Sequence, residues 1–205
     1  MIKTEQLGPY VLSWRDGVFP LGSDALALGK FCTVKPSWRV CDLGTGSGAL
    51  LLLLARRRAG LSLTGIEIDP LSVQTAQKNL ADNGLKGEII CGDLRAVPLP
   101  AGGFDLAVSN PPYFPVGSGK SGGPARSEEL CTLEELCAAA GRLVKNGGRF
   151  ALCHRPERLV DVVCTLRAHD LEPKRLKLVS PGENHPPALL LVEAVRQGRP
   201  GLAIE

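Results

Sequence analysis

The sequence predicts a doubly wound α/β domain built around a mostly parallel sheet. Apolar strand-like runs alternate with helix-length segments along most of the chain. The last two strand candidates, residues 172–180 and 188–195, are separated only by the turn-rich "PGENHPP". Parallel neighbours need a longer crossover, so this pair should form an antiparallel hairpin at one side of the sheet. The 205 residues, 44% of them hydrophobic, suit a single domain.

The individual elements follow from periodicity and capping signals. Asp69 precedes Pro70 as an N-cap residue precedes the first helical position. Thr132 and Glu135 have the spacing of a capping box at the head of "LEELCAAAGRLVK". The predicted strands before the hairpin are residues 38–43, 61–68, 87–93, 104–109 and 148–154. The predicted helices are residues 48–58, 70–82, 133–145 and 156–169.

Composition excludes several classes of function. The seven cysteines are odd in number and none are spaced as C-x-x-C, which argues against a zinc site and a disulfide framework. We expect no metal site, and thiols in a reducing cytoplasm. The N-terminus has no apolar signal region, and "ALLLLLARRR" is too short to span a bilayer, so no membrane association is expected. The net charge of +3 permits a nucleic-acid partner without requiring one.

A glycine-rich turn, "DLGTGSG" at residues 42–48, joins the first predicted strand to the first helix. Glycines there allow close approach of a ligand to the backbone. Asp42 lies two residues before Gly44, where a carboxylate would repel the pyrophosphate of a dinucleotide and would suit a cationic ligand with an amino group. S-adenosylmethionine has a sulfonium and an α-amino group, and it has no phosphate.

Two further acids follow the next strands. Glu67 ends the second strand, where an acid can bind both ribose hydroxyls, and Asp93 follows the third, where it can accept from the adenine amino group. Each acid alone is more readily explained as structural. Together they lie at three consecutive strand ends, the edge at which open α/β sheets bind ligands, and they predict a cofactor site.

The tetrapeptide Asn110-Pro111-Pro112-Tyr113 directly follows the fourth predicted strand. The prolines stiffen the loop and hold Asn110 in an extended conformation. The Asn110 side-chain oxygen and the Pro111 carbonyl are both acceptors, so together they can bind the two hydrogens of a planar NH₂ group. They would stabilise the positive charge that develops as that nitrogen takes a methyl group. Tyr113 can stack on the target, and Phe114 can extend that platform.

The segment Gly117-Ser118-Gly119-Lys120-Ser121 raises the alternative of a P-loop ATPase. A P-loop requires G-x-x-x-x-G-K-[ST] between a strand and a helix. Phe114 occupies the first glycine position, and Pro124 follows where a helix should begin. We interpret this segment instead as a mobile lid, with Lys120 a candidate phosphate contact.

"DLGTGSG", "GIEID", "GD" and "NPPY", in this order, resemble the class I S-adenosylmethionine-dependent amino-methyltransferases, from about residue 21 to 195. "PLGSDALALGKF" and "PALLLVEAVRQGRPGL" are similar to the bacterial family that methylates adenine N6 beside the anticodon of a valine tRNA. The resemblance implies a Rossmann-like fold with a seven-stranded, mostly parallel sheet and a C-terminal antiparallel hairpin. It implies one domain over residues 1–205: a segment closing the cofactor site (1–37), a core (38–195) and a tail (196–205).

The same resemblance implies a tRNA partner, with an anticodon-loop adenine as acceptor, and S-adenosylmethionine as cofactor. We expect a cytoplasmic monomer or weak dimer. In that family the segment with Ser23 and Asp24 opens a helix that helps to close the cofactor site, although Asp24 could equally be a plain N-cap. Release-factor glutamine, rRNA guanine N2 and a catalytically inactive binding module remain alternatives.

The candidate catalytic residues are Asn110, Pro111 and Tyr113. The candidate cofactor-binding residues are Asp42, Gly44, Thr45, Gly46, Gly48, Glu67, Asp93, Leu94 and Asn110. The candidate RNA-binding residues are Pro112, Phe114, Lys120, Arg126 and Arg155.

Overall fold

A computed structural model describes residues 1–18, 20–111 and 131–205. The strands are β1 (Ile2–Leu7), β2 (Tyr10–Arg15), β3 (Arg39–Leu43), β4 (Ser62–Glu67), β5 (Gly87–Cys91), β6 (Phe104–Ser109), β7 (Val144–His154), β8 (Leu171–Val179), β9 (Leu189–Arg196) and β10 (Ala203–Ile204). The α-helices are α1 (Ser23–Phe31), α2 (Ala49–Arg57), α3 (Pro70–Asp82), α4 (Leu133–Leu143) and α5 (Leu159–Ala168).

The main sheet confirms the predicted α/β class. Its strands lie in the order β10-β8-β9-β7-β6-β3-β4-β5, and β9 runs antiparallel to both of its neighbours while the other pairs are parallel. The predicted antiparallel hairpin is therefore β8–β9. The described part of this sheet has eight strands rather than seven, because β10, within the predicted tail, pairs alongside β8.

Helix caps agree with the sequence at two of three places. The Asp69 side chain accepts a hydrogen bond from the Ser72 N–H, and the Thr132–Glu135 capping box is complete. At α1, however, the N-cap is Gly22, so the interpretation of Asp24 as an N-cap is wrong. Asp24 lies in the first turn, where a carboxylate interacts favourably with the helix dipole.

The helices cover both faces of the sheet with separate apolar clusters. Consecutive residues of β3 point to opposite faces: Val40 packs in the cluster that contains α2, and Cys41 packs in the one that contains α4. Burial on both faces explains why consecutive residues within the central strands, such as Val40–Cys41 and Leu106–Val108, are apolar. It also leaves the carboxyl ends of the strands as the edge available for a ligand.

An N-terminal hairpin that the sequence analysis did not predict packs against α2 and α3. Strands β1 and β2 are joined at Gly8, which has a positive φ, and Pro9. On α3, the amide of the buried Asn79 accepts from the Ser13 N–H at 2.9 Å and donates to the Ser13 carbonyl at 2.8 Å, so it imitates a strand edge. Asn79 Nδ2 also donates to the Ser47 carbonyl at 2.8 Å. One side chain therefore joins the hairpin to the glycine-rich turn.

Candidate active site

A cavity of about 730 Å³ opens at the carboxyl ends of the parallel strands, within the size range of small-molecule sites. The segment between β2 and α1 and the first turn of α1 form one wall, with residues 20–25 among those lining it. The described lining includes five carboxylates and a single basic side chain, Arg155. The carboxylates are Asp24, Asp42, Glu67, Asp69 and Asp93.

Asp42 is the most perturbed of these acids. Its side chain is 1% exposed, and Oδ2 accepts from the Thr45 hydroxyl at 2.7 Å. Within the described chain, Oδ1 has no hydrogen-bond donor. Burial raises the pKa of Asp42 to about 7; the Thr45 hydrogen bond opposes that rise, and the charge of Glu67 adds to it. A buried acceptor without a donor is suited to a ligand that brings an N–H group.

The glycine-rich turn keeps the cavity open beside Asp42. Gly44 and Gly46 both have positive φ, and a Cβ at either position would meet no atom within 4 Å. The space that side chains would occupy is thus available to a ligand. Gly48 differs, since it does not line the cavity and a Cβ there would lie 3.3 Å from the Ala76 side chain. Its role is to let α2 begin close to α3.

Glu67 is held in place by backbone donors. The Gly46 N–H donates to Oε2 at 2.8 Å, and the Ile68 and Asp69 N–H groups donate to Oε1 at 2.9 and 3.0 Å. These bonds fix the carboxylate at the end of β4 without removing all its acceptor capacity, because each oxygen has two lone pairs. The geometry agrees with the predicted binding of a pair of hydroxyls.

Asp93 lies on the cavity wall next to Leu94, and both oxygens of its carboxylate accept from the Arg95 guanidinium. Those hydrogen bonds hold the pKa of Asp93 below its ordinary value. Arg95 also donates to Glu135 at 2.8 Å, which joins this wall to the first turn of α4. Asp93 therefore remains an ionised acceptor.

Asn110 and Pro111 follow β6 at the same edge and also line the cavity. The preceding residue, Ser109, is buried and donates its hydroxyl hydrogen to the Leu43 carbonyl at 2.7 Å, which ties β6 to the glycine-rich turn. The Asn110 Oδ1 accepts from the thiol of Cys153, on the neighbouring strand β7, at 3.0 Å. The predicted catalytic amide thus lies beside the predicted cofactor residues.

Arg155 lines the cavity at the end of β7, as the sequence placed it. Its backbone N–H donates to Nδ1 of the buried His154 at 2.9 Å, which shapes the turn that carries it. Burial lowers the pKa of His154 to about 4, and the nearby Arg158 charge acts in the same direction, so the imidazole is neutral at pH 7. The remaining predicted residues lie outside the described chain: Pro112, Tyr113, Phe114, Lys120 and Arg126, together with the predicted lid.

Four residues of the site's surroundings escaped the sequence analysis: Asn79, Arg95, Ser109 and Cys153. Each acts on a residue distant in sequence or in another element, so no local pattern marks it. Only Ser109 carries a usable signal, because a polar residue at the end of an apolar strand needs a partner when buried.

The charges and cavity agree with the cofactor expected from the sequence. Acids dominate the described lining, which disfavours a phosphate-bearing ligand and favours one with cationic, amine and hydroxyl groups. The buried Asp42 oxygen without a donor and the open space at Gly44 and Gly46 fit such a ligand in particular. The residues present therefore fit S-adenosylmethionine.

Comparison with known proteins decides the family. The family described as "Methyltransferase small domain" matches residues 21–161. The chain belongs to this family. A Porphyromonas gingivalis relative named "tRNA1(Val) (adenine(37)-N6)-methyltransferase" is 32% identical over 84% of this chain and 73% of its own length. A Parabacteroides distasonis relative with the same name is 31% identical over 88% of this chain and 78% of its own.

Solved structures support the fold of this methyltransferase. A predicted O-methyltransferase from Agrobacterium tumefaciens has a TM-score of 0.73 at 21% identity, covering 89% of this chain and 85% of its own. A SAM-dependent methyltransferase from Aquifex aeolicus has a TM-score of 0.65 at 19% identity, covering 84% and 89%. Together with the family match and the named relatives, these structures confirm the predicted fold class, methyltransferase activity and dependence on S-adenosylmethionine. In the described ranges, no helix has both the length and the apolar character needed to cross a membrane.

Proposed function

We propose that this methyltransferase transfers a methyl group from S-adenosylmethionine to the exocyclic N6 of an adenine in tRNA, at the anticodon-loop position next to the anticodon. The observation that carries the proposal is the position of Asn110 and Pro111 on the wall of the acidic cavity. The names of the relatives supply the nucleic acid and the base. We expect this action in the reducing cytoplasm, because the seven cysteines are odd in number and none are spaced as C-x-x-C, and we expect a monomer or weak dimer there.

The chain's own residues divide into a holding set and a reacting set. Asp42, Glu67 and Asp93 would hold the amino group, ribose and adenine of the cofactor, with the glycine-rich turn leaving room for it. When bound, S-adenosylmethionine supplies an electrophilic methyl group on its sulfonium. Asn110 Oδ1 and the Pro111 carbonyl are the acceptors for the two N–H bonds of the target amine.

These two acceptors address the chemical difficulty of the reaction. The lone pair of an aryl amine is delocalised into the ring, which makes the nitrogen a weak nucleophile. Hydrogen bonds from both N–H groups draw the nitrogen towards tetrahedral geometry and stabilise the positive charge that develops as the new N–C bond forms. The extra proton leaves to solvent after transfer, so no strong general base is required.

The target base must leave its stack to reach the amide, as it does in other enzymes that modify bases. Single-stranded loop bases are the least costly to extrude. Arg155 is the basic side chain of the described lining, and we assign it a phosphate contact rather than base recognition.

The test uses S-adenosyl-[methyl-³H]methionine with unmodified tRNA, rRNA and release factor from cells lacking the enzyme. N6-methyladenosine in tRNA, mapped to the anticodon loop, is the expected product. Label in protein or in rRNA guanine would replace our choice of acceptor by one of those alternatives, and no transfer to any of them would favour a binding module.

Asn110→Ala tests the reacting set. Loss of one transition-state acceptor should lower kcat by about 10² to 10³, with affinity for S-adenosylhomocysteine changed far less. Asn146→Ala is the matched control, because Asn146 is exposed near the start of β7, at the opposite end of that strand. Unchanged transfer by the Asn110→Ala enzyme would refute the assigned mechanism.

A further inference from the structure

We propose that the buried Cys153 thiol is a positioning residue that fixes which end of the Asn110 amide faces the substrate amine. This inference deepens the proposed function and rests on it. It begins with one contact: the Cys153 S–H donates to Asn110 Oδ1 with a sulfur–oxygen distance of 3.0 Å.

The register of the sheet makes this contact. Ser109 of β6 is aligned with Leu152 of β7 in a parallel pair. Asn110, which directly follows β6, and Cys153 of β7 therefore lie side by side at the carboxyl edge. Cys153 is held from its other side by β9, where it pairs with Leu191, and it is fully buried. A side chain fixed between two strands is a rigid reference point for its neighbour.

The choice of amide end matters because only one end accepts. The oxygen and nitrogen ends of a primary amide are nearly equal in size, so packing hardly discriminates between them, and hydrogen bonds decide. If the amide turned over, its NH₂ group would face the substrate N–H bond that Oδ1 otherwise accepts, and donor would meet donor. The Cys153 thiol donates to the amide oxygen as observed, whereas a turned-over amide could offer the sulfur only a weak N–H···S bond, so the thiol favours the orientation in which oxygen faces it. That oxygen has a second lone pair for the substrate.

A purely structural role for Cys153 is the competing explanation, since buried cysteines commonly act as small apolar residues. Cys137, on α4, is also fully buried and offers a matched comparison. Removing its sulfur creates a similar void in the apolar cluster on the α4 face of the sheet. The two cysteines should therefore be alike in their effect on stability and different in their effect on transfer.

The experiment compares Cys153→Ala, Cys153→Ser and Cys137→Ala in the full chain, using the acceptor that wild-type enzyme methylates. We expect Cys153→Ala to lower kcat by about three- to tenfold, the effect of one modest hydrogen bond. Affinity for S-adenosylhomocysteine, measured by calorimetry, should be unchanged. Cys137→Ala should lower Tm similarly and leave kcat as it was.

The serine variant separates orientation from packing. The serine hydroxyl is again a donor. A C–O bond is shorter than a C–S bond, so the serine oxygen would lie slightly farther from Asn110 Oδ1 than the sulfur does at 3.0 Å, still within reach of a hydrogen bond. Cys153→Ser should restore kcat towards the wild-type value without restoring Tm, because a hydroxyl is more costly to bury than a thiol. If serine and alanine variants lose kcat equally, or if neither loses it, the inference is wrong.

A second background sharpens the test. Both ends of a carboxylate are acceptors, so Asn110→Asp removes the need for an orienting donor. Adding Cys153→Ala to that variant should then cost no further activity, whereas an equal loss in both backgrounds would overturn the inference. Asn110→Ala, measured alongside, separates failure of this inference from failure of the proposed function. If Asn110→Ala is inactive and Cys153→Ala is as active as wild type, the role of Cys153 is wrong and the proposed function stands.

Discussion

Replacing Asp42 with Asn should stabilise the cofactor-free protein at pH 8 while weakening its binding of cofactor. Burial raises the pKa of the Asp42 carboxyl from 3.8 to about 7. A carboxyl whose pKa rises on folding contributes its full stability below the unfolded value, and that contribution is lost as pH rises through the folded value. The loss therefore develops between about pH 4 and pH 7 and is complete above that.

The size of the effect follows from the same values. The interval from 3.8 to about 7 corresponds to about 4 kcal/mol at pH 8, as an upper limit. The asparagine amide keeps an acceptor for the Thr45 hydroxyl, but it brings a buried NH₂ group where Oδ1 has no partner in the described chain, at a cost of about 1–3 kcal/mol. We therefore expect a net gain of about 2 kcal/mol in the free energy of unfolding at pH 8, falling to about zero near pH 5.

Urea unfolding between pH 5 and pH 8, followed by circular dichroism, measures the stability difference. Asp82→Asn is the control, because Asp82 is an exposed helix residue whose ion pair in the described chain is with Lys78, four positions earlier. Its effect should be small and should not vary across this pH range. Calorimetry with S-adenosylhomocysteine should show affinity at least about tenfold weaker for Asp42→Asn, since the ammonium loses its carboxylate partner.

Proton release gives an independent signature. Pairing with an ammonium group favours the ionised carboxyl, so binding near pH 7 should release protons from wild-type protein and not from the Asp42→Asn variant. Titrations in two buffers of different ionisation enthalpy measure that difference. An Asp42→Asn protein that is less stable than wild type at pH 8, or that binds S-adenosylhomocysteine equally well, would refute the reasoning.

Two further substitutions probe the surroundings of the cavity. Asn79→Ala should lower the free energy of unfolding by about 2–4 kcal/mol and weaken S-adenosylhomocysteine binding. The reason is that it leaves backbone groups of Ser13, in the hairpin, and of Ser47 without their hydrogen-bond partner. Asn83→Ala is the control: it removes more exposed contacts to the same hairpin and should have a smaller effect on both measurements. Arg155→Ala should weaken tRNA binding and reduce the slope of log affinity against log salt by about one. The exposed Arg167, paired with Glu172, is the control, and equal slopes for both variants would contradict the assignment.

Local signals predicted the framework of this fold well. Proline at the first position of α3 and the capping box of α4 fixed both helix starts, because caps are made by residues within one turn. The hairpin β1–β2 was missed although Gly8 and Pro9 separate two strand-like segments, which is the pattern of a tight turn. Strand β10 has two residues, too few for any periodicity to reveal it.

The site shows the opposite limit. Asp42, Glu67 and Asn110 could be found from sequence because parallel strands bring their carboxyl ends to one edge. Some contacts around them could not be found, because they join distant segments: Cys153 lies 43 residues from Asn110, and Arg95, which holds Asp93, reaches Glu135 over 40 residues. Such pairings depend on strand order and on side-chain direction, neither of which a single sequence specifies.

Asp42, Glu67 and Asp93 occupy equivalent positions in the sequence, each at the end of a strand, but they differ in burial and in hydrogen-bond partners in the folded protein. Glu67 already accepts three backbone N–H groups, and Asp93 already accepts from Arg95. Both already have hydrogen-bond donors before any ligand arrives and can only add to the bonds they hold. Asp42 alone is fully buried with one oxygen lacking a donor in the described chain. The gain in electrostatic free energy on binding a cation is therefore concentrated at Asp42. The buried Asp42 carboxylate lowers the free energy of unfolding of the cofactor-free protein. A neutral ligand of the same shape should restore little of that free energy, because it brings no positive charge to Asp42.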